Sequence, residues 1–163
     1  MLRDYDRQLE PEKEEDVRKL IALVTAAGSS ALVLAALSLG ASRTTVWTAA
    51  LSSGQEVPKQ VVRDTAAHGL FKGTLSGTKL KWKLTFAKLT GPATAAHIHM
   101  AAKGKSGPVV VPLCPPPTCK SAVTGTATIT AALRTAFKKH LLYVNVHTAK
   151  NPNGEIRGQL AVG

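Results

Sequence analysis

Between Lys79 and Phe86 apolar and polar residues alternate without a break: Leu80, Trp82, Leu84 and Phe86 fall on one side, Lys79, Lys81, Lys83 and Thr85 on the other. A period of two is the mark of a strand with one buried and one wet face. Shorter segments of the same kind lie at residues 109–113, 125–130 (GTATIT) and 142–147, where Val144 and Val146 oppose Tyr143, Asn145 and His147. Between the runs stand Ser76-Gly77-Thr78, Gly91-Pro92, Lys105-Ser106-Gly107-Pro108 and Asn151-Pro152-Asn153-Gly154, all turn-forming compositions. The last of these joins residues 143–148 to 155–160 as a hairpin. It sends Ile156 and Leu160 one way and Glu155, Arg157 and Gln159 the other, so Glu155 and Arg157 are expected to pair at the surface. Only residues 131–140 read as helical, and weakly. Short strands, Gly and Pro turns and no βαβ rhythm predict an all-β fold, an antiparallel, Greek-key-like sandwich or small barrel.

One stretch departs from this pattern. From Leu20 to Ala41 twenty-two residues carry no charge, with Arg18 and Lys19 before them and Ser42 and Arg43 after. A basic flank, an apolar run and small residues at its end describe a secretory signal peptide, Gly40 or Ala41 being the last residue removed. The run is also long enough to remain as a membrane anchor. Either way, basic residues on its N-terminal side place the rest of the chain outside the cytoplasm, in a periplasmic or extracellular setting. Residues 1–16 (MLRDYDRQLEPEKEED) form a mixed-charge preamble foreign to a signal peptide. A start at Val17, through a GTG codon, would leave that preamble untranslated. The chain therefore divides into a preamble (1–16), an N-terminal hydrophobic signal helix or anchor (17–41) and a folded body (42–163).

Charge divides along the same line. The whole chain, 163 residues, carries a formal +11. Residues 1–41 hold five Lys or Arg against seven Asp or Glu, whereas the body holds sixteen against three. A surplus of that size attracts acidic polymers or acidic protein surfaces through a salt-dependent field. Specific nucleic-acid recognition is not indicated, because no basic helix, zinc-finger spacing or interleaved aromatic platform is present. Contact with a membrane is expected only through an uncleaved N-terminal segment. Aromatics make up only 4% of the chain, so the core must be built from aliphatic side chains. Cys114 and Cys119 bracket Pro115-Pro116-Pro117-Thr118. In an oxidising compartment this is most simply a disulfide closing a stiff loop; a lone C-x-x-x-x-C is a weak zinc signal.

Three blocks together resemble the CHRD (chordin-type) domain: Leu51-Ser52-Ser53-Gly54-Gln55-Glu56-Val57-Pro58, then Leu89-Thr90-Gly91-Pro92-Ala93-Thr94-Ala95-Ala96-His97-Ile98-His99, then Tyr143-Val144-Asn145-Val146-His147-Thr148 running on to Asn151-Pro152-Asn153-Gly154-Glu155-Ile156-Arg157-Gly158-Gln159-Leu160. The resemblance spans about residues 48–161. It implies an exported β-domain and no particular reaction. The chain departs from the family pattern at Met100, where a glycine usually follows the second histidine, and in its CPPPTC insert.

The histidines carry the most specific chemistry. His97 and His99, two apart on a strand, share a face with their side chains about 6–7 Å apart, and His147 becomes a third ligand if its strand lies alongside. Three imidazoles suit copper or zinc, copper being favoured by intrinsic affinity. The H-x-H pair is also similar to the copper strand of copper-zinc superoxide dismutases, although no zinc-loop histidines follow. Beside this stands a purely structural role, in which Asn145, Thr148, Glu155 and Arg157 complete a polar network around the histidines, while Glu56 is expected to accept bonds from backbone N–H groups or, alternatively, to support a histidine. His68 and His140 are both expected in solvent, with a fourth ligand the minor alternative for His68. No catalytic residue is assigned. The body's only carboxylates are Glu56, Asp64 and Glu155, and neither a nucleophile elbow nor a phosphate-binding loop is present. The expected functions are transition-metal binding, alternatively a non-enzymatic binding or scaffold module with a basic face, and third a superoxide-dismutase-like redox activity with Arg157 guiding the anion.

Overall fold

The computed structural model describes residues 43–59, 66–114 and 116–163. The preamble and the hydrophobic segment lie outside these residues. Among the described residues nine antiparallel strands form one sheet: β1 (Thr44–Ser52), β2 (His68–Ser76), β3 (Lys79–Ala87), β4 (Ala93–Met100), β5 (Val109–Cys114), β6 (Val123–Thr128), β7 (Leu142–Thr148), β8 (Ile156–Gln159) and β9 (Ala161–Val162). Their order is β5-β4-β7-β8-β1-β2-β3-β6, with β9 also on β1. The sheet curls until its two ends, β5 and β6, approach each other, giving a nearly closed barrel and fulfilling the all-β expectation. An apolar groove of about 370 Å³, lined by Val111, Pro112, Ala127 and Leu133, runs along that seam.

The alternation in sequence becomes the inside and outside of the barrel. Phe71, Leu80, Leu84, Ile98, Val144, Val146, Ile156 and Leu160 are each at most 1% exposed. Burying a side chain of this size stabilises by about 1.5–3 kcal/mol. Gly125 faces Trp82 across β6 and β3, and a side chain there would meet the indole ring. The strand expected at 125–130 runs instead over Val123–Thr128, because Ile129 N–H turns to the Thr78 carbonyl and Thr130 caps the helix that follows. That helix, α1 (Ala131–Lys138), is N-capped by Thr130 Oγ1 on Leu133 N–H and plugs one end of the barrel with Leu133, Ala136 and Phe137. It ends before His140, whose φ of 55° is left-handed.

The detail that positions the site is a β-bulge. Ala93 pairs with Thr148 and Ala95 with His147, so Thr94 is an extra residue on β4. An extra residue reverses the facing of all that follows. Ala93 thus faces the core, and after the bulge Ala96 and Ile98 do, while His97 and His99 point outward. Two further register shifts, on the β5 side, fall immediately before His97 and immediately before His99.

Candidate metal centre

The outer face of β4, β7 and β8 carries rows of opposed residues: His97 opposite Asn145 opposite Arg157, and His99 opposite Tyr143 opposite Gln159. His147, opposite Ala95, completes the set. Two loops cover this face, residues 53–59 and 101–108, tied together by Ser106 Oγ donating to the Val57 carbonyl at 2.6 Å. The site therefore lies between sheet and loops, outside the barrel.

His97, His99 and His147 each offer a ring nitrogen, and these atoms lie within 4.8 Å of one another. Ring centroids are 5.0 Å apart for His97 and His147, 5.6 Å for His97 and His99, and 6.0 Å for His99 and His147. With metal–nitrogen bonds of about 2.0–2.1 Å, tetrahedral ligands stand roughly 3.4 Å from one another, so nitrogens as far as 4.8 Å apart would close in by at most about 1.4 Å on coordination. Backbone carbonyls fix two of the three tautomers. His99 Nδ1 donates to the Gly107 carbonyl at 2.9 Å, and His147 Nδ1 donates to the Pro152 carbonyl at 3.0 Å. Each leaves its Nε2 unprotonated, the arrangement usual for metal-binding histidines. The His147 Nε2 accepts a bond from His97 Nδ1 at 3.1 Å, whereas the His99 Nε2 is buried and has no partner.

Electrostatics keep the rings neutral. Burial first, and then His147 and His99, push the His97 imidazole down to about 4. Burial also lowers His99 and His147, against the raising effect of their carbonyl bonds; the Arg157 charge lowers His99 further, as His99 does His147. Three neutral imidazoles at pH 7 are competent ligands without losing a proton to solvent.

The surrounding residues fall into two groups. Tyr143 stacks flat on His99, 4.9 Å between centroids and 11° between planes, and the Arg157 guanidinium sits 3.4 Å from the Tyr143 ring centre on a neighbouring strand. The tyrosine hydroxyl accepts from Gly107 N–H at 3.2 Å, so the residue that orients His99 also anchors its stacking partner. Glu56 lies apart from the histidines: Asn145 Nδ2 donates to it at 3.3 Å, Val57 N–H also bonds it, and its other oxygen has no partner. Burial drives its carboxyl up to about 7, against Arg157 and Asn145, which lower it.

Several sequence expectations are corrected. Glu155 and Arg157 do not partner each other. Both Thr90 groups, Thr148 Oγ1 and Asn151 Nδ2 donate to Glu155, while Arg157 donates to the Lys105 carbonyl at 2.7 Å. Arg157 is also 3% exposed and covers Tyr143, so it offers no open guide for an arriving anion. His68 is exposed at the start of β2 as expected, bonded to the Ala66 carbonyl, and its minor alternative as a fourth ligand falls away because it is no member of the cluster. His140 is exposed as expected, with one face against Trp47. Cys114 and Cys119 are disulfide-bonded, which pins Cys119 beside Ala93. Beside Met100, which stands where the family usually has glycine, the close backbone approach comes from Gly107 across the loop, since a side chain there would strike the Met100 carbonyl. Sequence reasoning missed the roles of the Gly107 and Pro152 carbonyls and of Tyr143; only the tyrosine's place on the His147 face signalled it.

Comparison with known proteins agrees with this architecture at the level of family. No curated protein and no solved structure matches the chain. The family model of the CHRD domain matches residues 47–160, from the first core tryptophan to the last core leucine and across all three histidines, and the chain belongs to that family.

Proposed function

We propose that this chain is an exported protein that binds one divalent transition metal ion through His97, His99 and His147, copper being the favoured ion. The observation that carries the reading is the buried, unpartnered Nε2 of His99 beside two further neutral imidazoles. Buried acceptors are rarely left without a partner, and a cation supplies one. On binding, His97 would move its proton to Nε2 so that Nδ1 is free to coordinate. Export rests on residues 17–41, and the preference for copper rests on the general affinity order of divalent ions at nitrogen sites.

The purely structural reading has its own support, the bond between His97 Nδ1 and His147 Nε2. Titration of the purified chain with Cu(II) and Zn(II), followed by calorimetry and copper electron paramagnetic resonance, separates the two. One equivalent should bind, with nitrogen hyperfine structure, and His99→Ala should weaken binding about 100-fold or more while the protein remains folded. Absence of stoichiometric binding by folded protein would make the histidines structural. The superoxide-dismutase-like reading requires turnover by copper-loaded protein in addition to occupancy.

A further inference from the structure

A second surface stands out on the opposite part of the sheet. Register places Lys72 directly opposite Lys83, Thr74 opposite Lys81 and Ser76 opposite Lys79 on the outer face of β2 and β3, and β6 continues the rows with Thr124, Thr126 and Thr128. All four lysines are exposed. Strand spacing sets the grid at about 4.8 Å across and 6.8 Å along. Its occupants are ammonium and hydroxyl groups. Glu56 and Glu155, the acidic residues among those described, are both buried, and Glu155 precedes β8, which β1 separates from β2.

Like charges directly opposite on neighbouring strands are destabilising. Lysines often guard sheet edges against wrong pairing, but that does not account for these. β2 and β3 are interior strands, and the strand at that end of the sheet, β6, carries no lysine. The face therefore concentrates positive charge where the fold does not need it. A shallow depression of about 430 Å³ between Leu70, Lys72 and Lys81 gives it relief.

We propose that the outer face of β2, β3 and β6 binds a linear acidic polysaccharide, the lysines meeting its carboxylates and the threonines its hydroxyls. Two other polyanions fit the same charge less well. Single-stranded nucleic acid is held by stacking on aromatic side chains and by arginine, and this face presents neither. An anionic bilayer is held by buried apolar area together with charge, and Leu70 is the one large apolar side chain standing out here. Lysine, a compact point charge, suits carboxylates spread along a polymer without demanding forked geometry.

The test is binding of the full chain to polygalacturonate at about 50 mM salt, with dextran, single-stranded DNA and phosphatidylglycerol vesicles in parallel. The variant K72Q/K79Q/K81Q/K83Q is compared with K103Q/K120Q/K138Q/K139Q, which loses the same charge at other exposed positions. The expected result is binding to polygalacturonate and not dextran, weakened about tenfold or more, with a shallower salt dependence, only in the first variant. Equal losses in both variants would reduce the effect to net charge and overturn the proposal. So would tighter binding to DNA or vesicles than to polygalacturonate, or no binding at all. Should the fourfold variant not fold, K79Q/K81Q on β3 carries the same comparison.

Discussion

Glu155 is a fully buried carboxylate that accepts hydrogen bonds from four donors, and its replacement gives the sharpest quantitative expectation for this fold. In Glu155→Ala, Asn151 Nδ2 keeps the Thr90 and Thr148 hydroxyls as acceptors, at 3.0 and 3.4 Å, and the hydroxyls can rotate. Thr90 N–H has no such choice. One stranded donor, the lost charge-assisted bonds and the vacated volume together cost about 3–5 kcal/mol. That is a large part of the roughly 5–15 kcal/mol that holds an ordinary domain folded. Glu155→Gln keeps the shape and one acceptor oxygen, and should cost about 1–3 kcal/mol. Burial raises the Glu155 carboxyl, but the bonds from Thr148, Thr90 and Asn151 outweigh it and hold it below its ordinary 4.5. A folded value below the unfolded one gives stability that is present above about 4.5 and lost as pH falls through the folded value. The difference between wild type and Glu155→Gln should therefore be widest at neutral pH and shrink in acid. Urea unfolding, followed by the fluorescence of the buried Trp47 and Trp82, measures it at pH 7 and pH 3. Equal midpoints for wild type and Glu155→Gln at pH 7 would refute the reasoning.

Glu56 should behave with the opposite sign. Its folded value of about 7 lies above the ordinary 4.5, so stability present below 4.5 is lost as pH rises to 7; Glu56→Gln should gain on wild type across that window in thermal melts and hold a constant lead above it. Gly107→Ala should force the loop from the Met100 carbonyl and release both His99 Nδ1 and Tyr143, lowering metal affinity about 10–100-fold in the same titration that tests His99. Removing the disulfide by C114S/C119S should lower stability by about 2 kcal/mol or less, because the loop it closes is short, and calorimetric melting reads the difference.

The strands were legible because their alternation is local: Lys79 to Phe86 states its two faces without reference to any other segment. The clustered histidines were legible by type, His97 and His99 through spacing and His147 through the face it shares with Asn145. What joins them was not, since the pairing of β4 with β7 depends on a bulge at Thr94 that no residue type announces. Glu155 and Arg157 show the limit of alternation most directly. Two residues apart, they should share a face, yet Glu155 precedes β8 and is claimed by Thr90 and Thr148, while Arg157 is drawn over Tyr143. Long-range hydrogen bonds chose between them. The helix was faint in sequence for a related reason, as α1 is only eight residues long and is held by packing of Leu133 and Phe137 against the barrel.

The barrel is completed by pairing β1 with β8 and β9, segments as distant as Ser52 and Arg157. A chain that appears N-terminus first, whether from a ribosome or through a translocation channel, can zip β1, β2 and β3 into a meander at once. At roughly 5–20 residues per second, β1 then waits on the order of ten seconds with one side unpaired before its other neighbours exist. Topologies dominated by such distant contacts fold slowly. The vectorial order of synthesis thus concentrates the hazard of misfolding on a single strand, and a holding chaperone that masks the edge formed by Thr44–Ser52 would act where the nascent molecule is most vulnerable.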